Sequence, residues 1–383
     1  MPSKIIPSRG LKYMGSKRAM LQNGLGDLLN AQLPRASRFV DLFAGSGAVA
    51  IHVARRYEIE VRASDLQSFS AVITGAVITR QKKINPQTAW DRWYEQAVVS
   101  FTDEHVPSPS ALTRAVVRDC RTWCDNQTNL PVTKAYGGHY FSPEQAVWID
   151  MLRASLPERE PVRTVALAAL ILAASQCAAS PGHTAQPFQP TRTAKPFLQE
   201  AWSKNIIQRT KDAFVTFASQ FALSRGKAGV ADAYEAAGQL KERDLVFLDP
   251  PYSGVQYSRF YHVLETVARG ECGDVAGVGR YPEFELRPQS KFSLKTKSKD
   301  ALNDLLDRVA SRGASAFLTF PDHQCSNGLS GSMVRKIARK HFRIVEVSIK
   351  SRFSTLGGNG TNENGKRKAR KKARELILVL HPR

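Results

Sequence analysis

A strand, a glycine-rich turn, a helix and a second strand follow one another near the start of the chain, and they constrain the fold more than any other feature. Residues 38–43 form a short apolar run typical of a buried strand, and Ala44-Gly45-Ser46-Gly47 follows it as a turn. Residues 48–57 have a helical pattern, and residues 58–63 have the pattern of a second strand that ends at Ser64-Asp65. Two strands joined by a crossover helix form a parallel βαβ unit, so we expect an α/β fold.

The rest of the chain divides into two regions of different character. Residues 84–222 contain all five tryptophans and have helical patterns separated by polar stretches, which indicates a mainly helical insertion. Residues 223–383 return to α/β alternation, with predicted strands at 244–248, 314–320, 342–350 and 375–380 and predicted helices at 257–269, 301–311 and 332–340. We therefore predict an α/β domain formed by residues 8–83 and 223–383, with a flexible basic loop at 354–374.

The charge of the chain points to a polyanionic partner. Its 383 residues include 55 Lys and Arg against 34 Asp and Glu, a formal net charge of +21. A surface this basic attracts polyanions, of which nucleic acid is the commonest. A highly soluble protein without such a partner is the alternative. The hydrophobic share of 42% excludes a mainly disordered chain.

The cysteines and the apolar segments lead us to expect a cytoplasmic protein. The five cysteines are scattered and form no disulfide framework, which fits a reducing compartment. Cys120 and Cys124 lie one helical turn apart without a second Cys/His pair, so we interpret them as helix-packing residues and expect no metal. The first residues lack the apolar core of a signal peptide, and the run at 165–174 is shorter than the about 20 residues that span a bilayer.

The glycine turn is the first candidate binding site. Gly45 and Gly47 let the backbone approach a ligand closely, and Asp65 ends the next strand, where a carboxylate can bind ribose hydroxyls. The spacing lacks the third glycine of the dinucleotide fingerprint, which favours a nucleoside cofactor without pyrophosphate. On this pattern alone, a dinucleotide enzyme and a tight turn without a ligand both remain open.

The second candidate site, Asp249-Pro250-Pro251-Tyr252, directly follows the predicted strand 244–248 and is more specific. The two prolines stiffen the backbone and cannot donate hydrogen bonds, so we expect their carbonyls to point outward as acceptors. A carboxylate, a carbonyl and an aromatic ring within four residues can hold a planar base that has an amino group. A purely structural Pro-Pro turn is the alternative, and the preceding βαβ unit and the basic charge argue against it.

Together these motifs resemble the Dam-like N6-adenine DNA methyltransferases of the α group, in which the cofactor motifs come first, a target-recognition domain is inserted, and the catalytic motif follows. Residues 249–252 are similar to the catalytic motif, residues 41–47 to the cofactor glycine motif, and residues 12–17 to the N-terminal motif that closes over the cofactor. The resemblance implies a Rossmann-like S-adenosylmethionine-dependent methyltransferase fold. That fold has a mixed seven-stranded sheet with an antiparallel last strand, here with an inserted, mainly helical recognition domain.

The resemblance also assigns site residues, with double-stranded DNA as the partner. The catalytic set is Asp249, Pro250, Pro251 and Tyr252. The set for S-adenosyl-L-methionine is Tyr13, Gly15, Lys17, Asp41, Phe43, Ala44, Gly45, Ser46, Gly47, Asp65, Asp232 and Asp249. In the implied mechanism the adenine leaves the duplex, Tyr252 stacks on it, and Asp249 and the Pro250 carbonyl accept hydrogen bonds from its amino group. Methyl transfer then needs orientation, without a covalent enzyme intermediate or a metal.

Two segments are candidates for DNA contact. If strand 342–350 runs parallel to the catalytic strand, its hairpin to strand 375–380 places a run of cations at the ligand edge of the sheet. These cations are Lys366, Arg367, Lys368, Arg370, Lys371 and Lys372. Loop 180–195 of the insertion has side chains that can hydrogen-bond base edges, namely His183, Gln186, Gln189 and Arg192. A solvated charge run and a surface loop without a role are the respective alternatives.

Several functions remain open at this point. An RNA methyltransferase that acts on exocyclic amines is the nearest rival, and a non-catalytic DNA-binding protein with the same fold is another. Methylation of the cytosine amino group is less favoured because that class usually has serine where Asp249 stands. A restriction nuclease or another defence component could accompany the enzyme. The aromatic stretch 256–262 could line the base pocket or pack a helix.

Overall fold

The computed structural model describes residues 11, 13, 17–101, 106–354 and 370–383, and it describes side chains in these ranges except at 348–354 and 370–374. The described residues form two compact units. The sheet unit comprises residues 17–66, 230–257, 289–354 and 370–383. The helical unit comprises residues 11, 13, 67–101, 106–229 and 258–288, so it includes segments on both sides of the predicted insertion 84–222.

The strands are β1 (Arg38–Asp41), β2 (Glu60–Asp65), β3 (Lys227–Val230), β4 (Asp244–Leu248), β5 (Val275–Ala276), β6 (Tyr281–Pro282), β7 (Ser315–Pro321), β8 (Phe342–Ser354) and β9 (Arg370–Pro382). Seven of them form one sheet in the order β3-β2-β1-β4-β7-β9-β8, and β5 pairs with β6 in a hairpin of its own. β1 is parallel to β2 and β4, β4 is parallel to β7, and β9 is antiparallel to both of its neighbours. The predicted mixed seven-stranded sheet with an antiparallel last strand is therefore confirmed.

The helices, numbered in chain order, are α1 (Arg18–Met20), α2 (Gly26–Gln32), α3 (Ala48–Ala54), α4 (Ser68–Ile78), α5 (Pro86–Ser100), α6 (Arg114–Asp125), α7 (Pro131–Tyr136), α8 (Pro143–Ala154), α9 (Val162–Cys177), α10 (Lys195–Trp202), α11 (Ile206–Ser219), α12 (Ala233–Ala237), α13 (Ser258–Arg269), α14 (Ser298–Ser311) and α15 (Gly331–His341). The sheet unit contains α1, α2, α3, α12, α14 and α15. The other nine belong to the helical unit. None of the helices among the described residues is both long enough and apolar enough to cross a membrane.

The core of the sheet unit fixes the carboxyl edge on which the candidate site lies. β4 is buried at every position, as is typical of a central parallel strand. Alternate residues of β1, β4, β7 and β9 enter one core together with side chains of α12, α14 and α15. At the opposite edge, Arg38 donates to Asp244 at 2.9 and 2.5 Å, and this buried ion pair fixes the amino ends of β1 and β4.

The helical unit is organised around α9, which packs against α4 and α11 and has eleven buried residues. Helix α8 begins with a capping box between Ser142 and Gln145. Its Asp150 accepts hydrogen bonds from the amides of Val132 and Thr133, at the start of α7. These bonds hold two consecutive helices together. Cys120 and Cys124 of α6 are both buried, as predicted for helix-packing residues.

Three residues of the aromatic stretch 256–262, which the sequence left open, pack in a helix. Phe260, Tyr261 and His262 belong to α13 and are at most 4% exposed. Tyr261 stacks on Tyr13 with ring centroids 4.7 Å apart. The two ring nitrogens of His262 lie 3.1 and 2.9 Å from the carbonyls of Arg259 and Gly279. Burial lowers the pKa of His262 to about 4, although these carbonyls oppose the shift, so the ring is neutral at physiological pH and donates to one of the two.

Most predicted elements lie where the sequence patterns indicated, and the main difference is in the last hairpin. β4 has the predicted bounds 244–248. β9 begins at Arg370 rather than at residue 375, so residues 370–374 of the predicted basic loop are paired with β8. β8 runs parallel to β7 and β4, as the argument for the basic loop required.

Candidate active site

Three carboxylates meet at the carboxyl edge of the sheet unit. Asp41 is the last residue of β1, and it pairs in register with Ala63 of β2 and Phe247 of β4. Asp65 and Asp249 each lie two residues beyond those partners, so all three acids end neighbouring parallel strands. Their charges are close enough for Asp249 and Asp65 to raise the pKa of Asp41. The predicted cofactor and catalytic motifs are therefore adjacent in space.

The glycine turn between β1 and α3 is locked in place by its neighbours. Gly45 and Gly47 have φ of +52° and +71°, a region that costs side-chain-bearing residues strain. The Gly45 amide donates to the Asp65 carboxylate at 2.8 Å, and the Ala44 amide donates to the Ser64 carbonyl at 3.0 Å. These bonds fix the turn to the end of β2. The backbone thus offers a close approach to a ligand while its conformation is already set.

Asp41 is almost completely buried below this turn. Its carboxylate accepts a hydrogen bond from the Phe43 amide at 3.2 Å. Burial raises its pKa to about 8, and the nearby charges of Asp249 and Asp65 act in the same direction. Asp41 is therefore protonated over much of the neutral range in this state, and an added cation near it would favour its ionised form.

Asp249 is held at both carboxylate oxygens. Oδ2 lies 2.8 Å from Nζ of Lys17, and Oδ1 accepts a hydrogen bond from the Thr319 hydroxyl at 2.7 Å. Burial raises the pKa of Asp249, while Lys17 and the two hydrogen bonds oppose that rise. Each carboxylate oxygen has a second lone pair, so both can still accept from a substrate.

Lys17 connects Asp249 with an acid that the sequence analysis did not select. Its Nζ lies 3.1 Å from the Glu375 carboxylate, and the side chain is buried. Burial alone would lower the pKa of Lys17, but Asp249 and Glu375 outweigh it and raise the pKa above the ordinary value. Glu375 pairs with Pro321 near the carboxyl end of β7 because β9 is antiparallel. A single acid ahead of the apolar run 376–380 was the available signal.

The two proline carbonyls of residues 250 and 251 have different surroundings. The Pro251 carbonyl accepts a hydrogen bond from Nδ2 of Asn327 at 3.0 Å. Among the described residues, no group donates to the Pro250 carbonyl. Tyr252 is partly exposed, and its ring lies edge-on to Phe320 at 6.4 Å. The turn therefore presents, beside a partly exposed ring, one carbonyl to which none of the described residues donates.

The other predicted cofactor residues occupy varied positions. Phe43 is partly buried and lies edge-on to Phe292 at 5.2 Å, and Ser46 is buried in the turn. Asp232 caps α12, because its Oδ1 accepts a hydrogen bond from the Tyr234 amide at 2.8 Å. One of its two carboxylate oxygens therefore already has a structural role. Tyr13 belongs to the helical unit, where it packs on Tyr261. Gly15 lies outside the described residues.

The predicted nucleic-acid contacts are described only in part. Lys366, Arg367 and Lys368 lie outside the described residues. Arg370, Lys371 and Lys372 are in β9, where only their backbone pairing with β8 is described. Arg192 is exposed on loop 180–195 of the helical unit. Its assignment as a DNA contact stays a prediction, as do the other six.

The donor set around the turn indicates what kind of ligand it fits. Asp41, Asp65 and Asp249 are close together, and Lys17 is already paired with Asp249 and Glu375. Such an acidic edge repels a pyrophosphate but suits a cation, and a carboxylate at the end of β2 suits ribose hydroxyls. The residues therefore fit a positively charged nucleoside better than a dinucleotide.

Comparison with known proteins agrees with this chemistry. The family model for the D12 class N6 adenine-specific DNA methyltransferases matches residues 13–312. The chain is similar to the modification methylase StsI of Streptococcus sanguinis, with 25% identity over 79% of this chain and 42% of that protein. It is similar to the modification methylase LlaI of Lactococcus lactis subsp. lactis, with 26% identity over 78% of this chain and 44% of that protein. A third relative is the type II methyltransferase M.FokI of Planomicrobium okeanokoites, with 22% identity over 78% and 43%. The chain thus spans less than half of the length of these curated relatives.

Proposed function

The chain belongs to the D12 class N6 adenine-specific DNA methyltransferase family, and from that premise we propose that it methylates N6 of adenine at specific sites in double-stranded DNA with S-adenosyl-L-methionine. The observation on which this depends most is the Asp249–Tyr252 turn, where a fixed carboxylate, a carbonyl to which no described residue donates and a partly exposed ring lie together. A base with an exocyclic amino group needs these three features.

The glycine turn and the acids around it are the proposed seat of the cofactor. Gly45 and Gly47 would contact it through the backbone, and Asp65 would accept from ribose hydroxyls. The carboxylate of Asp249 supplies negative potential for a sulfonium, and a bound cation would favour the ionised form of Asp41 beside it. When bound, S-adenosyl-L-methionine supplies an electrophilic methyl group. The remaining assignments to this group, including Tyr13, Gly15, Lys17 and Asp232, stay predictions.

At the base, the chain's own groups select and orient the amino nitrogen. Asp249 and the Pro250 carbonyl accept its two hydrogens, which directs the nitrogen lone pair out of the ring plane. Tyr252 supplies a stacking surface for the extruded ring. The contribution of the enzyme is therefore orientation and exclusion of water, for which no covalent bond to the protein is required.

The remaining parts of the proposal concern recognition and context. We assign residues 84–222 to target recognition because a helical insertion interrupts the methyltransferase motifs. Three relatives are named modification or type II methyltransferases, which supports a role beside a restriction nuclease or another defence component. The five thiols, none of them in a disulfide, are consistent with a cytoplasmic location.

The decisive experiment is transfer of labelled methyl from S-adenosylmethionine to mixed duplex DNA and, in parallel, to total RNA. We expect label in DNA, recovered as N6-methyladenine. Asp249→Ala should lose at least about a hundredfold in turnover while it keeps most DNA affinity, because it removes one acceptor that orients the base. Asp304→Ala, on the exposed face of α14, is the matched control and should leave turnover unchanged.

Other outcomes identify the rival functions. Label in RNA alone would assign the chain to the exocyclic-amine RNA methyltransferases. Cofactor binding without label in either substrate would indicate a binding-only protein or the need for a partner. Label recovered as N4-methylcytosine would move the assignment to the cytosine-amino class.

A further inference from the structure

We propose that Thr319 and Asn327 are positioning residues that hold the catalytic turn, residues 249–252, in its reactive conformation. Thr319 orients the Asp249 carboxylate, and Asn327 donates a hydrogen bond to the Pro251 carbonyl. This inference depends on the proposed function of residues 249–252. Neither residue was selected from the sequence. Both lie in the segment formed by β7 and the loop that follows it.

Thr319 is a buried polar residue with apolar neighbours on both sides in β7. It has no exposed surface, and the register Leu248↔Leu318 places it beside Asp249. Its hydroxyl lies 2.7 Å from Oδ1 of Asp249 and 3.4 Å from the Leu248 carbonyl, so its single proton points to the carboxylate. Lys17 binds the other oxygen. Two contacts on two oxygens fix the plane of the carboxylate, which one contact would leave free to rotate.

Asn327 has a similar role for the backbone of the turn. It is completely buried, and its Nδ2 donates to the carbonyls of Pro251 and Phe292, both at 3.0 Å. Its Oδ1 accepts from the Leu329 amide at 3.2 Å, so the amide orientation is determined by its partners. The neighbouring Ser326 hydroxyl accepts from the Gly254 amide at 2.9 Å. The loop is thus bonded to the turn at two points.

These contacts use some hydrogen-bond acceptors of the turn for structure and leave others for a substrate. The Pro251 carbonyl is occupied by Asn327, whereas the Pro250 carbonyl has no donor among the described residues. Asp249 keeps one lone pair on each oxygen after its bonds to Thr319 and Lys17. A base with two amino hydrogens therefore finds two acceptors whose relative position is set by β7 and the following loop.

The test compares Thr319→Val, which removes the hydroxyl at nearly constant volume, with Thr319→Ser, which keeps it. Thr319→Val should lower kcat about ten- to a hundredfold, because a misplaced acceptor costs orientation. It should also move the acid limb of kcat to higher pH, because a bond that lowers the pKa of Asp249 is lost. Thr319→Ser should stay within about threefold of the unchanged protein and keep its pH profile.

Two further variants separate positioning from folding. Thr266→Val, at a buried threonine of α13 that donates to the His262 carbonyl at 3.1 Å, should change neither kcat nor the pH profile. Ser326→Ala removes the hydrogen bond from the Gly254 amide at an exposed position, so it loosens the loop and leaves the core intact. It should lower kcat about threefold or more and leave the KM for DNA unchanged. Wild-type kcat and an unshifted acid limb in Thr319→Val would overturn the inference. If the protein without any substitution methylates no DNA, the proposed function would be overturned instead.

Discussion

At the scale of single residues, the ionisation of Asp249 depends on its burial and on two charged neighbours, one cation and one anion. Burial is the largest influence and raises its pKa, Lys17 lowers it, and Glu375 raises it further. The ionised form is the one that accepts hydrogen bonds at both oxygens, so activity is lost as pH falls through this pKa. Since the pKa is raised, the acid limb of kcat should lie above 3.8, the ordinary value for aspartate.

Changes at the two neighbours should move that limb in opposite directions. Glu375→Gln removes a negative charge and should move the acid limb to lower pH, whereas Lys17→Met removes the cation and should move it to higher pH. The measurement is kcat between pH 5 and 9 at saturating cofactor and DNA. Shifts of the same sign in both variants would contradict the electrostatic interpretation. Glu200→Gln, an exposed acid of the helical unit, is the control for a generic change of charge.

Asp41 gives a prediction for stability without any ligand. Its folded pKa of about 8 lies above its ordinary value of 3.8. Its stabilising contribution is therefore fully present below pH 3.8 and is lost as pH rises toward 8. Asp41→Asn keeps the acceptor for the Phe43 amide but cannot ionise. It should be more stable than the unchanged protein at pH 8 by at least about 1.4 kcal/mol, the equivalent of one unit of pKa.

Urea unfolding of both proteins at pH 5 and pH 8 measures this difference. The gain of Asp41→Asn should grow between the two values, since the unchanged protein loses stability over that interval. A gain that is the same at both pH values would show that Asp41 does not titrate with a raised pKa.

Single residues differ in how far the sequence could predict them. Asp41, Asp65 and Asp249 could be predicted because each lies at the carboxyl end of a predicted strand, and parallel strands bring such ends together. Glu375, Thr319 and Asn327 could not be selected in the same way. Their roles depend on the register between β7, β4 and β9, which hydrophobic patterns do not specify. Lys17 was predicted for the cofactor, yet its observed partners are Asp249 and Glu375.

At the scale of elements, the glycine turn is the clearest case for a ligand-binding test. Gly47 and Gly277 share the same φ of +71°, but Gly47 begins α3 at the candidate site and Gly277 lies in the β5–β6 hairpin with no atom near an added Cβ. Alanine at either position should cost about 1 kcal/mol of stability because of the left-handed backbone. Only Gly47→Ala should also weaken binding of S-adenosylmethionine, by about tenfold or more.

Calorimetric titration of the two variants separates strain from contact. The Gly277→Ala protein reports the effect of strain alone, since its backbone conformation is the same. Equal loss of cofactor affinity in both variants would show that the glycine turn has no direct part in binding.

Loop 180–195 is an element whose predicted residues now divide into two groups. Gln189 accepts from Arg121 at 3.0 Å, and the Ala185 amide donates to the His183 ring at 3.2 Å, so both have structural partners. The loop is fixed further by the hydroxyls of Tyr140 and Tyr281, which donate to its backbone. Gln186 and Arg192 are exposed and have no partner among the described residues. They are the better candidates for DNA contact.

The expected result follows from that division. Gln186→Ala and Arg192→Ala should change the methylation rate or the sequence preference on DNA with little effect on Tm. Gln189→Ala should lower Tm because it leaves Arg121 with one partner fewer. Methylation rates on a library of duplexes, with Tm for each variant, measure both effects. Unchanged rates and preferences in Gln186→Ala and Arg192→Ala would exclude this loop from DNA recognition.

Elements were predicted well where one hydrophobic period dominates. β4 and α14 are examples, since their apolar residues face a core that covers them completely. The start of β9 was misplaced because 370–374 is a run of mostly basic residues, which favours a loop by composition. Pairing with β8 outweighs that preference, since thirteen residues of each strand are in register.

At the scale of the whole molecule, the order of motifs explains how one sheet is made from distant parts of the chain. β1 and β2 precede the helical insertion and β4, β7, β8 and β9 follow it, yet β1 pairs with β4. The predicted insertion therefore separates the predicted cofactor motif from the predicted catalytic motif in sequence but not in the sheet. This property was predictable, because both halves had incomplete sets of strands.

The basic hairpin supplies the last prediction, which concerns the electrostatics of the whole chain. The β8–β9 pairing continues from Lys350↔Arg374 to Ser354↔Arg370, beyond Glu375 at the carboxyl edge, so the hairpin extends from the edge on which Asp249 lies. Binding to DNA releases counterions, and the slope of log K against log salt changes by about 0.9 for each phosphate neutralised. The residues to replace with glutamine are Lys366, Arg367, Lys368, Arg370, Lys371 and Lys372.

The replaced protein should bind all duplexes more weakly, and its salt slope should fall by several units and by up to about 5. Its preference among sequences should be unchanged, because phosphate contacts have no base information. The control replaces an equal number of exposed cations elsewhere, namely Arg56, Lys82, Lys83, Lys241, Lys299 and Arg312. Fluorescence anisotropy over a salt series measures both proteins. Equal salt slopes for the replaced protein and the control would mean that the basic run stays solvated in the complex. The cations that contact DNA would then lie elsewhere on the surface.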